Sequence, residues 1–134
     1  MHPELFELFV NGTLMHGLAL HHNLLGATYL GATATAPCYR LYSINDVHPG
    51  MYRLAEGEAG GVSVSGELYI VSNTHWLRIE AGEPPNLYRG RVLLHDGREV
   101  LGILYPRELT GINGHDIFQY GDWRKYMESK TATA

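Results

Sequence analysis

Leu5-Phe6-Glu7-Leu8-Phe9-Val10 runs directly into Asn11-Gly12-Thr13-Leu14. The first six residues predict a strand: Phe6, Leu8 and Val10 share one face, and Phe9 joins Glu7 on the other and makes it apolar as well. A strand that is apolar on both faces belongs in the middle of a sheet. The Asn-Gly pair that ends it has two readings. Between apolar runs it is the strongest short-range signal for a hairpin turn. It also sets backbone N–H groups and small polar side chains at the end of a rigid element, where they can hold a carbonyl or a carboxylate.

Further along, Leu18, Leu24 and Leu25 line one helical face of Met15–Leu25, with three histidines and Asn23 on the other, which predicts a short helix. Ala27–Ala36 and Tyr39–Ile44 read as strands, and His48-Pro49-Gly50 as a loop before a short strand, Met51–Leu54. From Val62 to Val71 the alternation is strict. Ser72-Asn73-Thr74 can cap a turn or helix containing Trp76, Leu77 and Ile79, which Pro84-Pro85 stops. Leu87–Leu94 and Glu99–Tyr105 flank Asp96-Gly97 and form the strongest hairpin candidate. A turn-rich stretch follows Pro106, then a terminal helical segment with Ile117, Trp123, Tyr126 and Met127. Many short strands with few long helices predict an α+β domain around a strongly curved, barrel-like sheet. Glycines inside strands, such as Gly66 and Gly102, mark bends or close backbone approaches, or simply weaken edges.

At 134 residues the chain fits one domain, 1–134, with a frayed tail over 129–134. Its formal charge of −4, with scattered positives, argues against a nucleic-acid partner. The single cysteine, Cys38, excludes an intrachain disulfide and a cysteine-built zinc site, and suggests a reducing compartment. No apolar run approaches the roughly 20 residues needed to span a bilayer, and Met1-His2-Pro3-Glu4 is unlike a secretory signal, so a cytoplasmic protein with no membrane partner is expected.

Two carboxylates stand out, Glu80 and Glu83, next to the stiff Pro84-Pro85 break. A carboxylate shielded from water there acts as a base with its pKa raised toward neutrality; in open solvent it is an ordinary surface charge. His16, His21 and His22 are the competing cluster, but no neighbouring acid completes a metal set. Cys38 reads as a small buried side chain, Ser63 and Ser65 lack a strand-to-helix elbow, and Gly57–Gly61 lacks the lysine of a phosphate loop. Tyr120 and Trp123 fit either a core or a pocket wall.

Val10-Asn11-Gly12-Thr13-Leu14-Met15-His16-Gly17 resembles the substrate-cradling turn of the gamma-glutamylcyclotransferase-like superfamily, with Asn11 where tyrosine is usual. Gly66-Glu67-Leu68-Tyr69 resembles the glycine-containing strand of that superfamily, and Leu87–Val92 its aromatic-plus-basic strand. Ile79-Glu80-Ala81-Gly82-Glu83 resembles the segment whose last glutamate is the acid/base, which selects Glu83 over Glu80. Gly17–Leu24, Thr35–Tyr42, His95–Gly102 and Asp116–Tyr126 are similar to the carboxy-terminal domain of allophanate hydrolase, a branch of the same fold. The resemblance implies a mixed, barrel-like sheet with short flanking helices and a pocket between the Asn11–His16 turn and Gly82–Asn86. It implies Glu83 as acid/base, and Asn11, Gly12, Thr13, Leu14 and Tyr88 as substrate contacts. It also implies a small-molecule substrate, no metal or other cofactor, an amidase partner in the allophanate branch, and a homodimer as one assembly open to the chain. The activity implied is cyclisation of a gamma-glutamyl amine. The alternatives are decarboxylation or hydrolysis of a small urea-derived acid, and non-catalytic binding of a small acid beside an amidase.

Overall fold

The computed structural model describes residues 4–132. Strand β1 (Leu5–Val10) lies at the centre of a five-stranded sheet. It pairs antiparallel with β5 (Ser65–Ser72) from Leu5↔Ser72 to Val10↔Glu67, and parallel with β7 (Glu99–Leu104) at Leu8↔Leu101 and Phe9↔Gly102. Strands β2 (Thr28–Ala34) and β6 (Tyr88–Leu93) form the edges, giving the order β2-β5-β1-β7-β6. One parallel contact among antiparallel ones makes the sheet mixed. The β6–β7 hairpin is the one announced by Asp96-Gly97, with Gly97 at φ 91°.

A second sheet, in the order β4-β3-β8, packs across the first. It contains β3 (Tyr39–Ile44), β4 (His48–Arg53) and β8 (Gly114–Asp116). Asn45 and Asp46 turn the β3–β4 hairpin at φ 55° and 58°, a left-handed conformation these two residue types tolerate. The Tyr105 N–H donates to the Met51 carbonyl at 2.9 Å and stitches β4 to the end of β7. Leu8, Phe9, Tyr39, Leu41, Val64, Ile79 and Ile117 are fully buried in one core shared by both sheets. Buried Tyr39 accepts the Leu93 N–H through its hydroxyl, so burial leaves this polar atom satisfied.

Three helices flank the sheets: α1 (Asn73–Gly82), α2 (Arg107–Asn113) and α3 (Trp123–Ala132). Ser72 caps α1 by accepting the His75 N–H, and His75 Nδ1 accepts the Ser72 N–H in return.

The α+β class holds, but the large sheet does not close into a barrel. Its edges meet at one corner only, where Thr35 bridges Leu94 just beyond the ends of β2 and β6. Residues 15–25 form successive turns and a short 3₁₀ helix, His21–Leu24, because Gly17 sits at φ 80° and interrupts any α-helix. His48-Pro49-Gly50 is the first half of β4, and its proline is tolerated because β4 is an edge strand. The stretch after Pro106 contains α2, hidden in the sequence by Thr110 and Gly111. Helix α3 continues through Ala132, so residues 129–132 of the expected tail are helical, and 133–134 lie outside the described residues.

Gly66 is where β5 crosses β1 most tightly. A Cβ there would collide with the Val10 carbonyl oxygen and lie 2.6 Å from the Phe9 ring. Gly66→Ala is therefore expected to cost about 3 kcal/mol through overpacking against backbone, read as a lower urea midpoint at unchanged m-value.

Candidate active site

Asn11-Gly12 is not a hairpin turn, since β1 pairs with β5 and β7 and the chain after Leu14 leads into the turns of residues 15–25. Nor does Gly12 adopt a left-handed φ. Its role is close approach: a Cβ at residue 12 would lie 2.6 Å and 2.7 Å from Cγ and Cδ of Pro49. The end of β1 is thereby pressed onto β4. Asn11, buried to 5 %, adds a bond from its side-chain amide to Met51 Sδ at 3.6 Å.

Three successive carbonyls of this turn accept protein hydrogen bonds. Gly12 accepts the Met15 N–H (3.0 Å), Thr13 the Leu20 N–H (2.8 Å) and Leu14 the His21 Nδ1–H (3.0 Å). The N–H groups of Gly12, Thr13 and Leu14 have no partner among the described residues. Unpaired N–H groups in a row form a concavity for a carbonyl oxygen or an anion. The back of the turn is gripped as well. Buried Glu67 accepts the His16 N–H (2.8 Å) and the Tyr69 hydroxyl (3.0 Å), while Arg124 lies 3.6 Å from Glu67 and donates to the His16 carbonyl at 2.6 Å.

Glu83 faces the same space from α1. It follows the last helical residue at φ −75°, ψ 144°, an extended conformation favoured because Pro84 disallows the helical one. Gly82 packs on buried Asn23, fixing the end of the helix. Val10, Asn11, Gly12, Thr13, Leu14, His48, Pro49, Glu83, Leu87 and Ile103 enclose a narrow pocket. Its free volume of about 20 Å³ suits one water-sized group. Burial among these side chains pushes the Glu83 carboxyl from 4.5 to about 7, with no cation to offset it. Glu83, Leu87 and Ile103 also border a wider hollow of about 520 Å³, lined further by Trp76, Glu80, Pro84, Pro85, Asn86, Tyr88 and Arg89.

Of the expected site residues, the structure gathers Asn11, Gly12, Thr13, Leu14 and Glu83 in the narrow pocket and places half-exposed Tyr88 in the outer hollow. Glu80 is exposed and accepts the Trp76 Nε1–H at 3.2 Å. Arg89 stacks between Phe6 and Trp76, 5.2 Å and 4.7 Å from the ring centres. His16 and His21 meet edge to face at 5.2 Å behind the turn, whereas His22 is exposed. Trp123 is buried in the core and Tyr120 packs against it. Sequence reasoning missed His48, buried to 6 % in the pocket wall. The available signal was Pro49, which biases the residue before it toward extended backbone.

Raised above its unfolded value, the Glu83 pKa favours the fold fully below about pH 4.5, and that contribution is lost as pH rises through about 7. Between these limits the wild type is expected to lose on the order of 1–2 kcal/mol relative to Glu83→Gln, allowing for partial solvent contact. Urea unfolding of both proteins from pH 4 to 8 measures this; parallel curves would contradict a desolvated carboxyl.

Residues 6–128 match the family described as the allophanate hydrolase C-terminal domain. The urea amidolyase of Lachancea kluyveri is 30% identical over 129 residues, covering 91% of this chain and 7% of that protein. The chain thus spans about 7% of the length of the urea amidolyases it matches. A Vibrio cholerae serotype O1 protein named "Putative gamma-glutamylcyclotransferase" is 30% identical over 116 residues, 87% of this chain and 93% of that protein. The crystal structure of a uropathogenic E. coli-specific protein superposes with a TM-score of 0.85 at 39% identity, covering 93% of this chain and 97% of that one. With the match running through nearly all of the described residues, the chain belongs to the allophanate hydrolase C-terminal domain family, within the gamma-glutamylcyclotransferase-like fold.

Proposed function

We propose that this chain is a cofactor-independent enzyme that cyclises a small gamma-glutamyl amine, with Glu83 as the acid/base. The observation that carries the reading is one pocket holding a desolvated carboxyl with a pKa of about 7 beside three unpaired backbone N–H groups. The substrate's alpha-amine attacks its own gamma-carbonyl carbon, forming the ring C–N bond, and Glu83 takes the proton that the amine gives up. Negative charge develops on the carbonyl oxygen, and the N–H groups of Gly12, Thr13 and Leu14 stabilise it. The bond to the departing amine then breaks, and Glu83 returns the proton to that nitrogen, leaving 5-oxoproline and a free amine. A carboxyl near pH 7 is suited to both transfers. The pocket accepts the reacting carbonyl, while the departing amine lies toward the outer hollow beside Tyr88. Holding amine and carbonyl together supplies the rest of the acceleration.

Family membership favours a second reading, decarboxylation of a small urea-derived acid beside an amidase partner. The bond from nitrogen to the departing carboxylate breaks, carbon dioxide leaves, and protonated Glu83 supplies the proton to nitrogen.

Release of 5-oxoproline from a panel of gamma-glutamyl amines, and loss of carboxylate from small urea-derived acids, separates the two. Glu83→Gln is expected to retain the fold and to reduce turnover by about 10²–10⁴-fold. Glu80→Gln, altering a surface pair, is expected to change it far less. Equal activity of wild type and Glu83→Gln would remove Glu83 from the chemistry. Binding of small acids without turnover in either assay would make the domain a binding module.

A further inference from the structure

We infer that Arg89 is a carboxylate-binding residue of the outer hollow, and that the amine released by the cyclisation carries an acidic group at its far end. The inference deepens the cyclisation reading and rests on it for the identity of the ligand. Arg40, Arg53, Arg98, Arg107 and Arg124 each face a carboxylate of the protein. Arg89 has neither an ion pair nor a hydrogen bond to protein among the described residues. It is held in place all the same, with its guanidinium 5.2 Å from the centre of the Phe6 ring and 4.7 Å from that of Trp76. Aromatic rings take up the faces of a guanidinium and leave the N–H groups on its edge, a fork that matches a carboxylate. A cation already fixed in this way loses less freedom on meeting an anion. Arg78 and Arg91 also lack a carboxylate, but neither lines the pocket or the hollow.

The place of the guanidinium follows from strand and helix. On β6, Tyr88 and buried Val92 share one face; Arg89 is on the other, which meets Phe6 of β1 and Trp76 of α1. Trp76 and Glu80 are one turn apart on α1, Glu83 follows its last residue, and all three border the hollow. The ring beneath Arg89 is thus two helical turns from Glu83, about 10 Å along the axis. That separation agrees with burial being the cause of the raised Glu83 pKa, with no contribution from Arg89. Glu80 stands between them, but its carboxylate accepts the Trp76 Nε1–H at 3.2 Å and forms no ion pair with Arg89. Substrate geometry then decides which acid can reach the fork. The alpha-carboxylate of the gamma-glutamyl group is bonded to the carbon that carries the attacking amine, so it stays at the inner pocket when the ring closes. A departing portion as long as two extended residues spans about 7 Å, and a hydrogen bond of about 3 Å from Glu83 covers the remainder.

Gamma-glutamyl amides compared in pairs test the inference, the departing amine being an ω-amino acid or its carboxamide, from 3-aminopropanoate to 6-aminohexanoate. Wild type is expected to favour the acid of the longest pair about 5–10-fold in kcat/KM, through KM, and to treat the shortest pair alike. Arg89→Met, which keeps an unbranched stem over the rings, is expected to bring the longest pair level. Arg89→Lys, a charge without the fork, is expected to retain part of the preference. Independently of turnover, the Trp76 indole N–H resonance of wild type should move on adding 6-aminohexanoate and not its carboxamide, which decides the matter even if Arg89→Met does not fold. With turnover observed, a level longest pair in wild type, a preference that survives Arg89→Met, or an indole resonance indifferent to the acid would overturn the role of Arg89 and leave the cyclisation reading standing. Movement of the resonance by the acid, lost in Arg89→Met, without turnover of any amide would remove the cyclisation and keep Arg89 as an acid-binding residue. If no amide reacts and the resonance does not move, both fall.

Discussion

The contact between the Pro49 ring and the backbone of Gly12 is the constraint on which the site depends. It brings the end of the central strand of one sheet against the edge strand of the other at a separation that excludes any β-carbon at residue 12. With β4 pressed this close, the turn cannot be completed by a hairpin partner, and its carbonyls turn away to Met15, Leu20 and His21. Its N–H groups are what remains. An orphaned row of backbone donors is costly in a protein interior unless a ligand or water meets it. The same contact keeps the pocket small and places His48 in its wall.

The electrostatics of the pocket follow from what the surrounding cations are already doing. Arg89 lies over two aromatic rings, and Arg124 is engaged with Glu67 and the His16 carbonyl. Neither guanidinium is among the residues enclosing Glu83 in the narrow pocket, so desolvation alone governs its carboxyl. A nearby arginine would hold that group ionised and make it a poor proton donor at neutral pH. Burial without a partner leaves it balanced between its two protonation states. Pro84 matters for the same reason: by forcing Glu83 out of helical geometry it ends α1 at the residue that lines the pocket.

Much of this architecture was legible in the sequence where one cause dominated. Strict alternation located β5, Asp96-Gly97 located the β6–β7 turn, and Ser72 and Pro84 bracketed α1. The central place of β1 followed from its two apolar faces. Where two causes compete, sequence misleads. Asn-Gly promises a left-handed turn, yet Gly12 serves close approach, which depends on a proline 37 positions away in the chain. His-Pro-Gly promises a loop, yet tertiary pairing with β3 makes it an edge strand. Helix α2 is built from residues of modest propensity and is held by its neighbours β3, β4 and β8. The strongly curved sheet expected from its in-strand glycines brings one corner of its edges together without closing into a barrel.

The two regions of the site divide the labour of recognition. The inner pocket takes one small group and offers it donors from the turn and an acid shifted toward its neutral form. Such a space suits a carbonyl that acquires charge during reaction better than a fixed anion, because donors preorganised in a tight site act most strongly on charge that develops there. The outer hollow is broad and mixed in character, with Trp76, Tyr88 and the paired prolines beside Glu80 and Arg89. In the cyclisation proposed above, the departing portion rests there, beside Glu80, Tyr88 and Arg89. Every residue enclosing the inner pocket lies between Val10 and Ile103, within the span shared with the family. The chemistry proposed for the pocket therefore draws on residues of this domain alone.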